Sequence, residues 1–363
     1  MPFENGTVNA SFFVYDGELP ENIVEIFANR RGCDECMIND EPNFGWVNGN
    51  RLLDNRITEE SISHGSFYYL NLRRAERKIP ASYLNALCQL EEHAAQVSRQ
   101  LDFVPKKLKA EIKEDIVDKN LMKMPPSLSG IPVVISPVDK VIIVGASSAA
   151  QQELFVEHFF TATGIEPLLV TPGYLLEKNF QKTEVDVPVI EFAKDIVDDT
   201  NIGRDFLTWL WYFSETDGKV SHETYGEFDI MLEGPLTMAA GGESLGSAET
   251  VIKNGEAPQR SAEAKAALLI GKKLKKAKFS MSNLDKVYVG NFDADKFNVG
   301  SLHLPEGEKM DDFNRFEERM NNLIVFQAAL EAYFNKFIET LFADDIADTQ
   351  EKIQQWALER DSK

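Results

Sequence analysis

The sequence predicts an α+β protein with mixed short sheets, packed helices and a long C-terminal helix. Two short apolar runs, residues 131–135 and 140–144, flank Ser136-Pro137 and predict a hairpin of strands. A charged stretch from Pro80 to Met124, restarted by Pro105, predicts two helices. Apolar residues near the C-terminus recur at steps of three and four, which is helical spacing. Strand and helix patterns therefore coexist along the chain.

The length of 363 residues favours two domains, or one domain with large extensions. The composition loosens after Gly173, so we place an N-terminal α+β region at residues 1–180 and a second at 181–305. Residues 306–363 are predicted as a C-terminal amphipathic helix. Each region is long enough to contribute to a hydrophobic core.

The remaining elements follow from local patterns. Ser148, with Gln151 three residues later, resembles the capping box that opens a helix. Residues 32–50 are interpreted as a loop. Further strands are expected at residues 10–15, 66–72, 168–171, 228–232, 272–281 and 286–289, and further helices at 20–29, 204–213 and 261–270.

The C-terminal helix carries a heptad seam that two kinds of packing could explain. Its members are Phe313, Phe316, Met320, Leu323, Gln327, Leu330, Phe334, Phe337 and Leu341. The seam either packs on its own domain or also pairs with another subunit.

The net charge of −21, from 38 basic and 59 acidic residues, argues on average against a polyanionic partner. The charges are nevertheless segregated along the chain. Residues 253–278 hold eight basic against two acidic residues, and residues 71–123 hold eleven against eight. Residues 1–70 hold four against twelve, and residues 305–363 seven against fourteen. A basic patch on an acidic body is typical of a nucleic-acid site.

The lysines of the second basic segment lie on a predicted strand. Alternation along a strand would place Lys272, Lys276 and Lys278 on one face and Lys273 and Lys275 on the other. A strand edge protected by lysines would have the same pattern without binding DNA.

Cys33 and Cys36 have the spacing of a zinc half-site or a redox pair. A structural zinc needs four ligands, and Cys88 is the only other cysteine, although His64 could contribute. We therefore expect two loop cysteines, no metal and a reducing cytoplasm. The N-terminus shows no secretory pattern and the apolar runs are too short for a membrane span, so no membrane association is expected.

Three motifs resemble enzyme or cofactor sites but lack the required context. Gly242, Ser244 and Gly246 match a hydrolase nucleophile motif, yet no apolar strand leads into it. Glu111 and Lys113 could mimic a nuclease motif, but they lie in a predicted helix. The strand and turn at residues 141–148 lack the glycine spacing of a phosphate-binding loop. We expect neither catalysis nor a cofactor.

The order of elements resembles the RdgC family, the recombination-associated DNA-binding proteins of bacteria. The resemblance rests on Gly45-Trp46-Val47, on KIPASYLNALCQLEE from Lys78, on KKLKAEIKEDIVDKNLM from Lys106 and on VIKNGEAPQRSAEAKAALLIGKKLKKAKFSM from Val251. The aromatic segment FLTWLWYFSE from Phe206 is similar to that of distant members. The likeness covers most of residues 10–340.

The resemblance implies a ring-forming homodimer that encircles duplex DNA without sequence preference and limits access of a RecA-type recombinase. It implies a cytoplasmic, nucleoid-associated protein. The implied basic lining consists of Lys253, Lys272 and Lys276, and extends to Lys106, Lys107 and Lys123.

Two departures weaken the implied contacts. Gly255-Glu256-Ala257 replaces a Lys-Lys-Gln run of the family, and Ser127-Leu128 replaces an Arg-Phe pair. The rival hypothesis is an interaction protein without a nucleic-acid role, docking through the heptad helix and the aromatic segment. A hydrolase using Ser244 is the third alternative.

Overall fold

A computed structural model gives the structure of the chain and describes residues 3–194, 201–240, 248–253, 255, 257–305, 307 and 312–359. The strands are β1 (Val8–Val14), β2 (Asn43–Asn48), β3 (Ser63–His64), β4 (Phe67–Glu76), β5 (Ser127–Ser136), β6 (Val141–Val144), β7 (Leu168–Leu169), β8 (Lys219–His222), β9 (Gly226–Ala239), β10 (Glu249–Ile252), β11 (Lys273–Asn283), β12 (Lys286–Asp293) and β13 (Asn298–His303). The helices are α1 (Ile23–Asn29), α2 (Glu59–Ile62), α3 (Ala81–Ser98), α4 (Lys106–Asn120), α5 (Ala149–Thr163), α6 (Pro172–Phe180), α7 (Ile202–Thr216), α8 (Ala262–Leu269), α9 (Asp312–Leu341) and α10 (Ile346–Glu359). The α+β class is confirmed.

A single large sheet replaces the predicted mixed short sheets, so that prediction is wrong. Ten of its strands run in the order β10-β9-β11-β12-β13-β1-β6-β5-β4-β2, and the pairs between named strands are antiparallel. β1 joins the two halves, because Val8 and Ala10 pair with β13 while its following residues pair with β6. Such pairing between distant segments leaves no local pattern in the sequence. The domain division at residue 180 stays a prediction.

The predicted hairpin around Ser136-Pro137 is confirmed as β5 and β6. Ser136 Oγ donates to Asp139 Oδ2 at 2.6 Å and fastens the turn. The loop predicted at residues 32–50 is partly wrong, because it contains β2, which pairs along β4. Gly45, which suggested a loop, is needed for close packing: a Cβ there would lie 2.5 Å from Cα of Gly32.

One face of the C-terminal half of the sheet is covered by α7 and α9. Leu207 and Leu210 of α7 meet Ile230 and Phe279 of the sheet and Phe326 of α9 around a small apolar cavity. The aromatic segment therefore belongs to the core. The cap of α5 is confirmed as well, since Ser148 Oγ accepts from the backbone N–H of Gln151.

The heptad seam packs on its own subunit. Phe316, Met320, Leu323, Gln327, Phe334, Phe337 and Leu341 are buried, while the side chain of Phe313 lies outside the described residues. The structure divides the C-terminal helix predicted at 306–363 into α9 and α10. Asp345 directly precedes α10, a position at which aspartate favours a new helix start over continuation of the old one.

Helices α3 and α4 form a hairpin that contributes little to the core. They pack against each other, Lys109 Nζ lies 2.6 Å from Glu92 Oε2, and α3 buries none of its side chains. Tyr83, Leu90 and Val97, seven residues apart, are exposed along α3. Among the described residues, no helix combines the length and apolar character that a membrane span requires.

Candidate nucleic-acid interface

The arginines of the first basic segment are largely structural. Arg73 and Arg77 of the 71–123 segment are buried, and their guanidinium groups donate to backbone carbonyls. Arg73 reaches the carbonyls of Leu52 and Cys33, and Arg77 those of Glu35, Ile38 and Met124. These bonds fasten the segment around β2 to the end of β4. Neither guanidinium faces a ligand in solution.

Arg74 and Lys78 are exposed but share one carboxylate. Lys78 Nζ lies 2.7 Å and Arg74 Nη2 3.2 Å from the oxygens of Glu76. The hydrogen bond from Lys78, together with Arg74, lowers the pKa of the Glu76 carboxyl. This cluster therefore offers less free positive charge than its composition suggests.

Three of the predicted DNA-binding lysines lie on or just after α4. Lys106 and Lys107 occupy its first turn, are exposed, and form no ion pair with another described residue. Lys123 is exposed and donates to the amide oxygen of Asn120 at 3.3 Å. The hairpin thus presents three lysines that no described carboxylate neutralises.

The second basic segment begins with an accessible lysine and continues with buried ones. Lys253 is exposed and lines an open groove beside β10 together with Arg260. Lys272 is 7% exposed and donates to Thr250 Oγ1 at 2.7 Å. Lys273 Nζ lies 2.5 Å from Asp205 Oδ1 of α7, and both side chains are buried.

Three further lysines of this segment, Lys275, Lys276 and Lys278, form ion pairs within the chain. Lys276 Nζ lies 2.8 Å from Asp293 Oδ2, and Lys278 Nζ 2.9 Å from Glu233 Oε2. Lys275 Nζ lies 2.5 Å from Glu249 Oε1, and this hydrogen bond raises the pKa of Lys275. The sequence did not identify these carboxylates as partners, because they come from β9, β10 and β12.

The predicted alternation of the lysines is wrong at the start of β11. The register with β9 shifts between Leu274 and Lys276, so Lys275 forms a bulge. Lys272 precedes the strand and is buried, while Lys276 and Lys278 share the exposed face. Side chains alternate between the two faces of a strand, so one extra residue moves the residues before it to the face opposite to the one that simple alternation predicts.

The predicted site residues do not form one cluster of equivalent cations. Lys106, Lys107, Lys123 and Lys253 are exposed without an acidic partner in the described chain, Lys276 is exposed and ion-paired, and Lys272 is buried. The hairpin residues Lys113 and Lys119 are also exposed. Helical spacing around Lys106 and Lys107 could have indicated these two additional lysines.

The other motifs give no assembled catalytic site in the described residues. Cys33 is half-buried, Cys36 is exposed, and both thiols are free. Glu111 and Lys113 lie exposed on α4. The motif containing Ser244 lies outside the described residues. Among those that are described, no three His, Cys, Asp or Glu side chains are grouped to hold a metal ion.

Fold and surface together define an α+β protein in which a helical hairpin and one region of a large sheet present lysines to solvent. Residues 9–173 match the family model described as "Putative exonuclease, RdgC". This match supports membership of the RdgC family, and the identification made from the sequence is confirmed. No curated protein matches the chain.

Family membership suggests a recombination-associated role that involves DNA. The word exonuclease belongs to the name of the family model and assigns no reaction to this chain. The matched range ends at residue 173, so it includes Lys106, Lys107 and Lys123 but not Lys253, Lys272 or Lys276.

Proposed function

We propose that this chain is a non-enzymatic DNA-binding protein that acts on duplex DNA without sequence preference. The observation that carries the proposal is the RdgC family match over residues 9–173. The surface supports it, because Lys106, Lys107 and Lys253 are exposed and have no acidic partner among the described residues. Lysines of this kind bind phosphate and release its counterions, which requires no particular base sequence.

The homodimer is part of the same proposal. Two subunits closing into a ring would pass DNA through a hole, with the acidic terminal segments on the outside repelling it. Tyr83, Leu90 and Val97 form an exposed apolar stripe on α3 at heptad spacing. Apolar side chains at this spacing are typical of helix pairing between subunits. The hairpin is therefore a suitable contact between the two copies.

Within this proposal the protein modulates homologous recombination and replication in the cytoplasm, associated with the nucleoid. A bound ring would occupy duplex DNA and limit access of a RecA-type recombinase. The loss of the Arg-Phe pair at Ser127-Leu128 reduces one contact that the family resemblance implied. DNA retention must then depend more on the lysines of the hairpin.

The test is a mobility shift with labelled duplexes at several salt concentrations, beside a mass measurement of the protein in solution. A site with about three phosphate contacts predicts a log–log salt slope near −2.7. Duplexes of unrelated sequence should bind alike, and the mass should be that of a dimer. Strong preference for one sequence, or no retention at low salt, would contradict the proposal.

The second candidate is a protein-interaction module without nucleic-acid binding. It is favoured by the ion pairs that neutralise Lys275, Lys276 and Lys278 within the chain. The docking surfaces first expected for it are buried, since α7 and the seam of α9 belong to the core. The stripe on α3 would then be its docking surface. A dimer that ignores DNA at low salt would support this candidate.

A further inference from the structure

The C-terminal half of the sheet has an inner face against α7 and α9 and an opposite face that bears exposed side chains. Ile230, Leu232 and Phe279 point inward and are buried. On the opposite face Met231 of β9 is 60% exposed, and Lys276 of β11 is also exposed. We call this second side, formed by β9, β11 and β12, the open face.

Two lysine–carboxylate pairs lie on the open face, directly across neighbouring strands. Lys276 is in register with Asp293 of β12, and Lys278 with Glu233 of β9. The Nζ-to-oxygen distances are 2.8 and 2.9 Å. The side chains of Lys276 and Lys278 are 50% and 38% exposed, so both ammonium groups remain accessible to solutes.

We propose that Glu233 and Asp293 are internal competitors of DNA phosphate for Lys278 and Lys276, and that they set the affinity of the open face for DNA. This inference rests on the proposed DNA-binding function. A carboxylate beside an ammonium group occupies the position that a phosphate oxygen would take. It also cancels the charge that would otherwise hold a counterion and release it on binding.

Exposure makes the competition possible: both side chains of the Lys278–Glu233 pair are exposed, and Lys276 is exposed although its partner Asp293 is largely buried. An ion pair in contact with water is a weak interaction, so a phosphate can displace the carboxylate. The neighbouring Lys273–Asp205 pair is buried and is closed to this exchange. The pairs on the open face can therefore act as adjustable contacts. The open face is then an extension of the site formed by Lys106, Lys107 and Lys253, which have no acidic partner among the described residues.

The variant Glu233→Gln tests this directly, because it keeps the shape of the side chain and removes its charge. We expect duplex affinity to rise by roughly eightfold at 0.1 M salt and the log–log salt slope to steepen by about 0.9, as for one additional phosphate contact. Asp293→Asn should act in the same direction through Lys276. Fluorescence anisotropy of a labelled duplex over a salt series measures both quantities.

The matched control is Glu25→Gln, which makes the same change in net charge. Glu25 is exposed on α1 rather than on the open face, and it forms no ion pair with another described residue. The duplex affinity of this control variant and its log–log salt slope should stay near those of the parent protein. Adding Lys278→Gln to Glu233→Gln should abolish the gain, because the released lysine is then absent.

The outcomes separate this inference from the function on which it rests. If the parent protein binds duplex DNA and the affinity of Glu233→Gln equals that of Glu25→Gln, the proposed competition is wrong, while the proposal of DNA binding stands. If Glu233→Gln gains affinity and Lys278→Gln removes the gain, the competition is supported. If neither the parent protein nor the carboxylate variants bind DNA at low salt, both proposals are wrong.

Discussion

The two basic segments of the chain look alike in composition and differ in what their charges contact. In residues 71–123, buried Arg73 and Arg77 bind carbonyls, whereas Lys106 and Lys107 are exposed on a helical hairpin and form no ion pair with another described residue. In residues 253–278, Lys273, Lys275, Lys276 and Lys278 each meet a carboxylate of the same chain. The segment with the larger excess of basic residues thus has the more heavily paired lysines.

This difference teaches that a count of basic residues overstates the charge available to a ligand. A lysine in a sheet has neighbours on two strands, and acidic residues there can neutralise it at direct cross-strand distance. A lysine in the first turn of an exposed helix has fewer neighbours. The hairpin is therefore the stronger candidate for the first contact with phosphate, although its segment is nearly balanced in charge.

The largest expected effect is on the free energy of unfolding, and it distinguishes a buried lysine from an exposed one within residues 253–278. Lys273→Met leaves Asp205 buried beside an uncharged side chain, and this should lower the free energy of unfolding by about 3–5 kcal/mol. Lys278→Met, at a pair whose two side chains are both exposed, should change it by no more than about 1 kcal/mol. Urea unfolding followed by circular dichroism measures both, and equal effects would contradict the assignment of Lys273 to the core.

A comparable contrast exists among the arginines of the first segment. Arg77→Gln removes the donors to three backbone carbonyls, and we expect the free energy of unfolding to fall by about 2–4 kcal/mol. Arg74→Gln affects an exposed contact with Glu76 and should cost less than about 1 kcal/mol. Thermal unfolding of the two variants checks this. A stable Arg77→Gln protein with weakened DNA binding would instead make Arg77 a ligand-binding residue.

The sequence predicted those elements whose signals are local. Pro80 and Pro105 marked the starts of α3 and α4, and Ser136-Pro137 marked the hairpin of β5 and β6. The burial of the α9 seam followed from its spacing, although pairing with another subunit remained an open alternative until the structure showed the seam in the core. Each of these features depends on residues within a few positions of one another.

The features that were missed depend on distant contacts. The sequence around Gly45 predicts a loop in place of β2, because nothing local shows that Gly45 packs against Gly32. Composition alone assigns the buried arginines to a basic patch, since hydrogen bonds to carbonyls leave no pattern in a sequence. The bulge at Lys275 and the partners Glu233 and Asp293 require the register of strands that are separated along the chain.

The hairpin lysines provide the next test. Replacing Lys106 and Lys107 with Gln should remove about two phosphate contacts, flatten the salt slope by about 1.8 and weaken duplex binding by roughly 60-fold at 0.1 M salt. The control is the double change Lys194→Gln and Lys352→Gln, two exposed lysines elsewhere on the chain. Anisotropy titrations of both proteins give the comparison, and equal losses would show only an effect of net charge.

The smallest expected effect distinguishes Lys253, which has no acidic partner among the described residues, from the ion-paired Lys276. Lys253→Gln should weaken duplex binding by roughly eightfold at 0.1 M salt, because an ammonium group without such a partner contributes a full counterion release. Lys276→Gln should change it by about twofold or less, since Asp293 already neutralises that side chain at 2.8 Å. Both substitutions alter the net charge equally, so the difference measures accessibility alone. A larger loss at Lys276 would mean that phosphate displaces Asp293 completely in the parent protein, and the open face would then be a primary contact of the DNA.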